Sequence, residues 1–237
     1  MDRDEVELVG GQVNRVVRIG DTVRRTMAWD RQLSHSVLQH LESVGFDAAP
    51  RFLGLDDEGR ETLSFLPSDL PHDASGFTDD QLIAAARLLR RFHDATEGMA
   101  VVRGAGAEVI CHNDWTPANT AFRDAMPYAL IDFDTVTPGS RLWDLSYSAW
   151  AWLDLADPVF SGEQQRHRLA VFCSAYGHAS CTLGLVAAVL PSRQAGRARW
   201  ARERGMHEGE TWALAAMDWT LEHVTEVIHP TGLPRGD

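Results

Sequence analysis

The spacing of apolar positions predicts two kinds of architecture along this chain. Val6–Val9, Val13–Ile19 and Thr22–Arg25 read as short β segments around the turns Gly10-Gly11 and Gly20-Asp21. From Asp30 to Val44 the period changes: Leu33, Val37, Leu41 and Val44 share a helical face, Asp30 can cap it and Gly45 can end it. Strands return at Pro50–Leu55 and Glu61–Leu66, joined by the turn Asp56–Gly59. Residues 1–66 therefore read as a small antiparallel sheet with one helix.

Residues 67–77 contain the polar, proline-bearing stretch PSDLPHDASG and mark a linker between two units. Thr78-Asp79-Asp80-Gln81 is a capping box opening a helix with Leu82, Ala86, Leu89 and Phe92 on one face. A short apolar strand, Tyr128–Ile131, follows. Helices are expected over Leu145–Leu155, Glu163–Tyr176, Thr182–Leu190, Arg193–Arg204 and Glu208–Ile228, with Pro191 separating the third from the fourth. Residues 78–237 thus form a larger, mainly α-helical unit, and the whole is α+β.

Composition narrows the function classes. A net charge of -12 argues against a general nucleic-acid binder and suits a cationic small substrate. No apolar run is long enough to span a bilayer, and no apolar stretch follows a basic one at the start, so neither membrane span nor signal peptide is expected. Three cysteines without framework spacing suggest reduced thiols in a cytoplasm. All 22 Lys+Arg residues are arginine, so any role that a lysine commonly fills falls to arginine here.

The densest chemistry lies in CHNDWTPANTAFRDAMPYALIDFD, Cys111 to Asp134, where His112-x-Asp114-x-x-x-x-Asn119 precedes an apolar strand ending in Asp132-Phe133-Asp134. Phosphoryl transfer needs a carboxylate to orient and deprotonate a hydroxyl, which Asp114 can supply. It needs hard oxygen ligands for Mg²⁺, which Asn119 and Asp132 can supply. It also needs a cation on the phosphates, which must come from upstream. Asp134 reads either as a second metal contact or as a surface acid.

The loop HNDWTPAN, the strand IDFD and Asp144 in RLWDLSY resemble the aminoglycoside phosphotransferase family, a branch of the protein-kinase-like fold. The segments GGQVNRVVRIGDTVRR and ETLSFLPS resemble its nucleotide-binding hairpin and its interlobe hinge. The resemblance implies a two-lobed kinase that moves the terminal phosphate of ATP or GTP, with Mg²⁺, to a hydroxyl or amine of a small molecule such as an aminoglycoside or another cationic metabolite. It implies Asp114 as base, Asn119 and Asp132 as Mg²⁺ ligands, His112 as a brace and Asp144 as a buried acceptor. It also implies Gly10, Gly11 and Asn14 near the phosphates and the backbone of Ser64, Phe65 and Leu66 at the purine.

Three positions depart from the family pattern. The phosphate-binding lysine is absent, and strand alternation assigns its role to Arg25 over Arg24. The first helix has no mid-helix glutamate, and His35 stands near that place. Asn113 occupies a position where glycine is usual. A nucleotide-binding or regulatory module without transferase activity is the alternative that these departures favour, and a metal-dependent hydrolase using His112, Asp114 and Asp132 is a third. Elsewhere, the arginines at 193, 197, 199, 202 and 204 read as a solvated helix face, and Glu203, Glu208, Glu210 and Asp218 as helix-surface acids that could receive a polyamine. Trp115 could line a substrate cleft.

Overall fold

The computed structural model describes residues 5–7, 16–27, 30–69 and 76–224. Gly10, Gly11 and Asn14 lie outside the described residues, as does most of the linker stretch. The N-terminal portion is a five-stranded antiparallel sheet in the order β1-β2-β3-β5-β4. Its strands are β1 (Glu5–Glu7), β2 (Val16–Ile19), β3 (Thr22–Arg25), β4 (Phe52–Leu55) and β5 (Glu61–Ser64). One helix, α1 (Gln32–Ser43), is inserted between β3 and β4.

Helix α1 begins later than expected: Arg31 is the N-cap residue, while the Asp30 carboxylate accepts from the Gln32 amide. Val37 and Leu41 are fully buried, but Val44 is half exposed because the helix has already ended at Ser43. Gly45, at φ 74, then reverses the chain in the left-handed region that glycine enters without steric cost.

The C-terminal portion is mainly helical: α2 (Asp79–Thr96), α3 (Ala100–Gly104), α4 (Arg141–Leu153), α5 (Gly162–Tyr176), α6 (Leu183–Glu203) and α7 (His207–His223). The Thr78/Gln81 capping box is present, and Leu82, Ala86, Leu89 and Phe92 are all fully buried. Two small antiparallel pairs sit among these helices, β6 (Val109–Cys111) with β9 (Thr137–Gly139) and β7 (Thr120–Arg123) with β8 (Met126–Leu130). Residues 65–69 lead from the sheet to the second pair: Phe65 N donates to Asp21 O (2.9 Å), Asp69 N to Phe122 O (3.0 Å) and the Tyr128 hydroxyl to Pro67 O (2.6 Å).

The sequence placed a break at Pro191, but α6 runs through it. An interior proline costs about 3 kcal/mol locally. Val186, Ala187 and Leu190 before it, and Gln194, Ala198 and Ala201 after it, are buried, so packing on both sides of the proline outweighs the local preference. No helix among the described residues is long and apolar enough to cross a membrane. Cys111, Cys173 and Cys181 are free and buried, and burial pushes the Cys173 thiol up to about 12.

Candidate active site

Strand β6 delivers the chain to His112 and Asn113, whose amides donate to the two carboxylate oxygens of Asp144 at 2.8 and 2.7 Å. Asp144 lies in the first turn of α4 with no exposed surface, and His93 Nε2 approaches it at 3.0 Å. Burial raises the Asp144 pKa, but the hydrogen bond from His93, its charge and that of His112, and the His112 amide bond outweigh burial and hold the carboxyl below its usual range. His93 reaches Tyr176 through its other nitrogen (2.8 Å), so the acceptor is braced from α2 and α5 as well. Sequence reading missed His93, which sits on the helix face assigned wholly to packing.

Asn113 has φ 66, which explains why a glycine suits this place, and asparagine is among the few residues that tolerate it. Its side chain adds what glycine cannot, donating to Thr135 O and Thr137 Oγ1, both at 2.9 Å. The loop is thereby tied to the segment after Asp134. His112 is fully buried, and its Nε2–H donates to Ile131 O (3.1 Å). Burial pushes its pKa down, against the raising effects of Asp144, Asp114 and Asp132.

Asp114 is held on both oxygens. The Tyr147 hydroxyl donates to Oδ1 at 2.7 Å, and Asn119 Nδ2 donates to Oδ2 at 3.1 Å and to the Asp114 carbonyl at 2.7 Å. With its amide nitrogen committed, Asn119 presents its carbonyl oxygen as the remaining acceptor. Asn119 O accepts from Ile131 N (3.0 Å), which sets Asn119 beside Asp132 at one end of the β7–β8 pair. Asp132 adopts a left-handed conformation, φ 63 and ψ 68, and its side chain is 43% exposed. An amide oxygen and an open carboxylate suit a Mg²⁺ that takes its other ligands from water and phosphate. Among the described residues no group of three or more His, Cys, Asp or Glu forms a metal cage.

Facing these groups is Arg25 of β3, which is buried while Arg24 turns to Asp56. Arg25 Nη1 donates to Asp132 Oδ1 (3.0 Å), Nη2 pairs with Asp134 Oδ1 (2.8 Å), and Nε donates to Glu61 Oε2. Glu61 is fully buried and lies opposite Arg25 in the β3–β5 register. His35, stacked on Phe52 with ring centroids 3.9 Å apart, reaches the other Glu61 oxygen at 2.8 Å. The carboxylate expected from α1 is therefore supplied by β5, and α1 contributes a histidine behind it. Asp134 is no surface acid: its side chain is 13% exposed, and Arg31 pairs with both of its oxygens, Nη2–Oδ2 at 2.6 Å. Glu61 and Arg31 were not anticipated, since neither carries a motif.

At the chain leaving β5, Ser64 N donates to Arg51 O (3.0 Å) and Phe65 N to Asp21 O, so two amides of the stretch whose backbone was expected at a purine are already engaged. A hollow of about 500 Å³ lies beside Leu66, lined by Arg87, Arg91, Arg123 and Tyr128, and does not include Asp114, Asn119 or Asp132. Trp115 lines no cleft: it has no exposed surface and packs on Trp152 at 5.2 Å. The arginines of α6 divide. Arg199, Arg202 and Arg204 are exposed, and Arg202 pairs with Glu210 (2.6 Å). Arg193 and Arg197 turn inward, Arg193 Nη2 donating to Asn113 O at 3.1 Å and its guanidinium lying over the Tyr147 ring at 4.6 Å.

An antiparallel sheet carrying one helix, set against a helical body with a braced His-x-Asp loop, is the arrangement of kinase-like phosphotransferases. The profile of the phosphotransferase enzyme family matches residues 32–183, and the chain belongs to that family. It is 28% identical to the trifolitoxin immunity protein of Rhizobium leguminosarum bv. trifolii, over 93% of this chain and 96% of that protein. In fold it is similar to the gentamicin complex of APH(2")-IIa (TM-score 0.59, 11% identity, 95% of this chain and 93% of that one). It is similar as well to a choline/ethanolamine kinase family protein from Mesorhizobium loti (TM-score 0.56, 14% identity, 94% and 92%). A third is the choline kinase LicA of Streptococcus pneumoniae (TM-score 0.58, 14% identity, 94% and 94%).

Proposed function

We propose that this member of the family transfers the terminal phosphate of ATP or GTP, with Mg²⁺, to a hydroxyl or amine of a small molecule. The observation that carries this reading is Asp114, fixed on both oxygens by Tyr147 and Asn119. In the proposed step Asp114 takes the acceptor proton while the acceptor oxygen or nitrogen bonds to the γ-phosphorus. The bond to the β-phosphate oxygen breaks, and the nucleoside diphosphate leaves. Asn119 and Asp132 would hold the Mg²⁺, which neutralises charge on the phosphates. Arg25 would bind the phosphates with its planar fork in place of a lysine's point charge. Residues 1–66 and 78–237 would be the two lobes, with 67–77 the hinge.

The engaged amides of Ser64 and Phe65 leave the carbonyls of this stretch and the Leu66 amide to read a purine. A protective role, as the immunity relative's name suggests, would follow if the acceptor were toxic. Against a module without transferase activity stands a carboxylate held on both oxygens near the partly exposed Asp132. Thermal stabilisation by ATP and by GTP, each with and without Mg²⁺, tests the reading. A Mg²⁺-dependent shift that Asp132→Asn abolishes is expected. No shift with either nucleotide would favour the module.

A further inference from the structure

Tyr147, which bonds to Asp114, is itself flanked by positive charge from α6. Arg193 and Arg197 are four residues apart on α6 and so share one face of the helix. Arg193 lies over the rings of Tyr147 (4.6 Å) and Trp143 (4.9 Å), and Tyr147 is the residue whose hydroxyl donates to Asp114 at 2.7 Å. Arg197 also interacts with Tyr147 and lies over Trp200 at 4.2 Å. The guanidinium groups thus stand within about a tyrosine's length of the carboxylate proposed as base.

Their hydrogen bonding is incomplete. Arg193 Nε and Arg197 Nη1 are buried and donate to nothing, and among the described residues neither side chain forms an ion pair. Burial, ahead of the raising effects of Asp144, Tyr147, Cys111 and Asp114, pulls the Arg193 pKa down. Buried guanidinium N–H groups without acceptors are costly, and a ligand oxyanion that accepted from them would remove that cost.

We infer that the acceptor carries an anionic oxygen group, a carboxylate or a phosphate, that binds Arg193 and Arg197 while its hydroxyl is presented to Asp114. The inference rests on the phosphotransferase reading and sharpens its substrate class. It reverses what net charge alone suggested, because a polycation would meet two like charges beside the base. Aromatic faces at Trp143 and Tyr147 would flank the same group, and a guanidinium fork fits either oxyanion in two-pronged fashion.

The test measures Mg²⁺-dependent nucleotide consumption with four matched acceptors: glycerate, glycerol phosphate, glycerol and ethanolamine. It compares wild type with Arg197→Gln, because Arg193 also holds the Asn113 carbonyl and its loss would disturb the loop. The two anionic arms should be used in preference to the neutral and cationic ones, and their comparison separates carboxylate from phosphate. Arg197→Gln should raise KM for the preferred anion about tenfold to a hundredfold, with KM for nucleotide unchanged. Preference for ethanolamine, or an unchanged KM in the variant, overturns the proposal.

If none of the four is consumed, titration of glycerate and glycerol phosphate onto the complex with Mg²⁺ and a non-hydrolysable nucleotide decides. Saturable binding that Arg197→Gln weakens supports the arginine site, and no saturable binding of either anion overturns it. Failure of the nucleotide itself to bind would count against the phosphotransferase reading instead. The same titration on nucleotide-free protein would still read the arginine site.

Discussion

Arg25 and Glu61 face each other across neighbouring strands, and the guanidinium of the first donates to the fully buried carboxylate of the second. Because Glu61 also accepts from or pairs with His35, one buried acid organises a cation from β3 and an imidazole from α1. Removing it leaves Arg25 buried with less compensation. Glu61→Ala should therefore cost about 3–5 kcal/mol of folding stability, by analogy with breaking other buried pairs. Urea unfolding measures this, and the Arg25→Ala/Glu61→Ala double variant should lose less than the sum of the singles.

Arg25 spans Glu61, Asp132 and Asp134, so it engages one oxygen of the carboxylate proposed to hold Mg²⁺. Arg25→Lys keeps the charge and loses the fork. The expected outcome is a weaker nucleotide Kd by about tenfold, with stability reduced less than in Arg25→Ala. Calorimetric titration of ATP and GTP with Mg²⁺ checks it. An unchanged Kd would remove Arg25 from the phosphate site.

Tyr147 bonds directly to Asp114, and burial is the first of the effects that raise its own pKa, followed by the Asp114 charge. It therefore stays a neutral donor. Tyr147→Phe removes one hydrogen bond to the proposed base, which should lower kcat about tenfold and leave KM for nucleotide unchanged. Steady-state kinetics on any accepted substrate reads both parameters.

His112 gives a pH dependence whose sign is set by burial. Its folded pKa lies below the ordinary 6.5, so the unfolded chain binds the proton more readily. Stability contributed by neutral His112 is complete above that ordinary value and declines as pH falls below it. It levels off once pH passes the folded pKa. Melting temperature followed from neutral to mildly acid pH should fall more steeply in wild type than in His112→Gln, which retains a donor for Ile131 O.

Much of the site was legible because it is local. His112, Asp114 and Asn119 lie in one loop, and Asp132 ends the next strand, so chain spacing alone brings them near one another. The sheet, the Thr78 cap and the left-handed Gly45 were legible for the same reason, each resting on neighbours a few residues away. Glu61 was not, because its partner is 36 positions distant and meets it only through strand pairing. Arg193 was misread as solvated because its helix shows no clear amphipathic period, and only packing turns it toward Asn113. Pro191 misled by a local rule that burial on both sides of it overrides. The bulk and rings of Trp115 suggested a cleft, but it is fully buried against Trp152, which itself packs on Phe122.

In the proposed function Asp114 serves as the base of a Mg²⁺-dependent phosphotransferase. Its most direct test is transfer of radiolabelled γ-phosphate from ATP or GTP to small acceptors, in wild type and in Asp114→Asn. Mg²⁺-dependent transfer by wild type is expected, with a loss on the order of 10²–10⁴ in the variant and nucleotide binding retained. Equal transfer by the two proteins would contradict it.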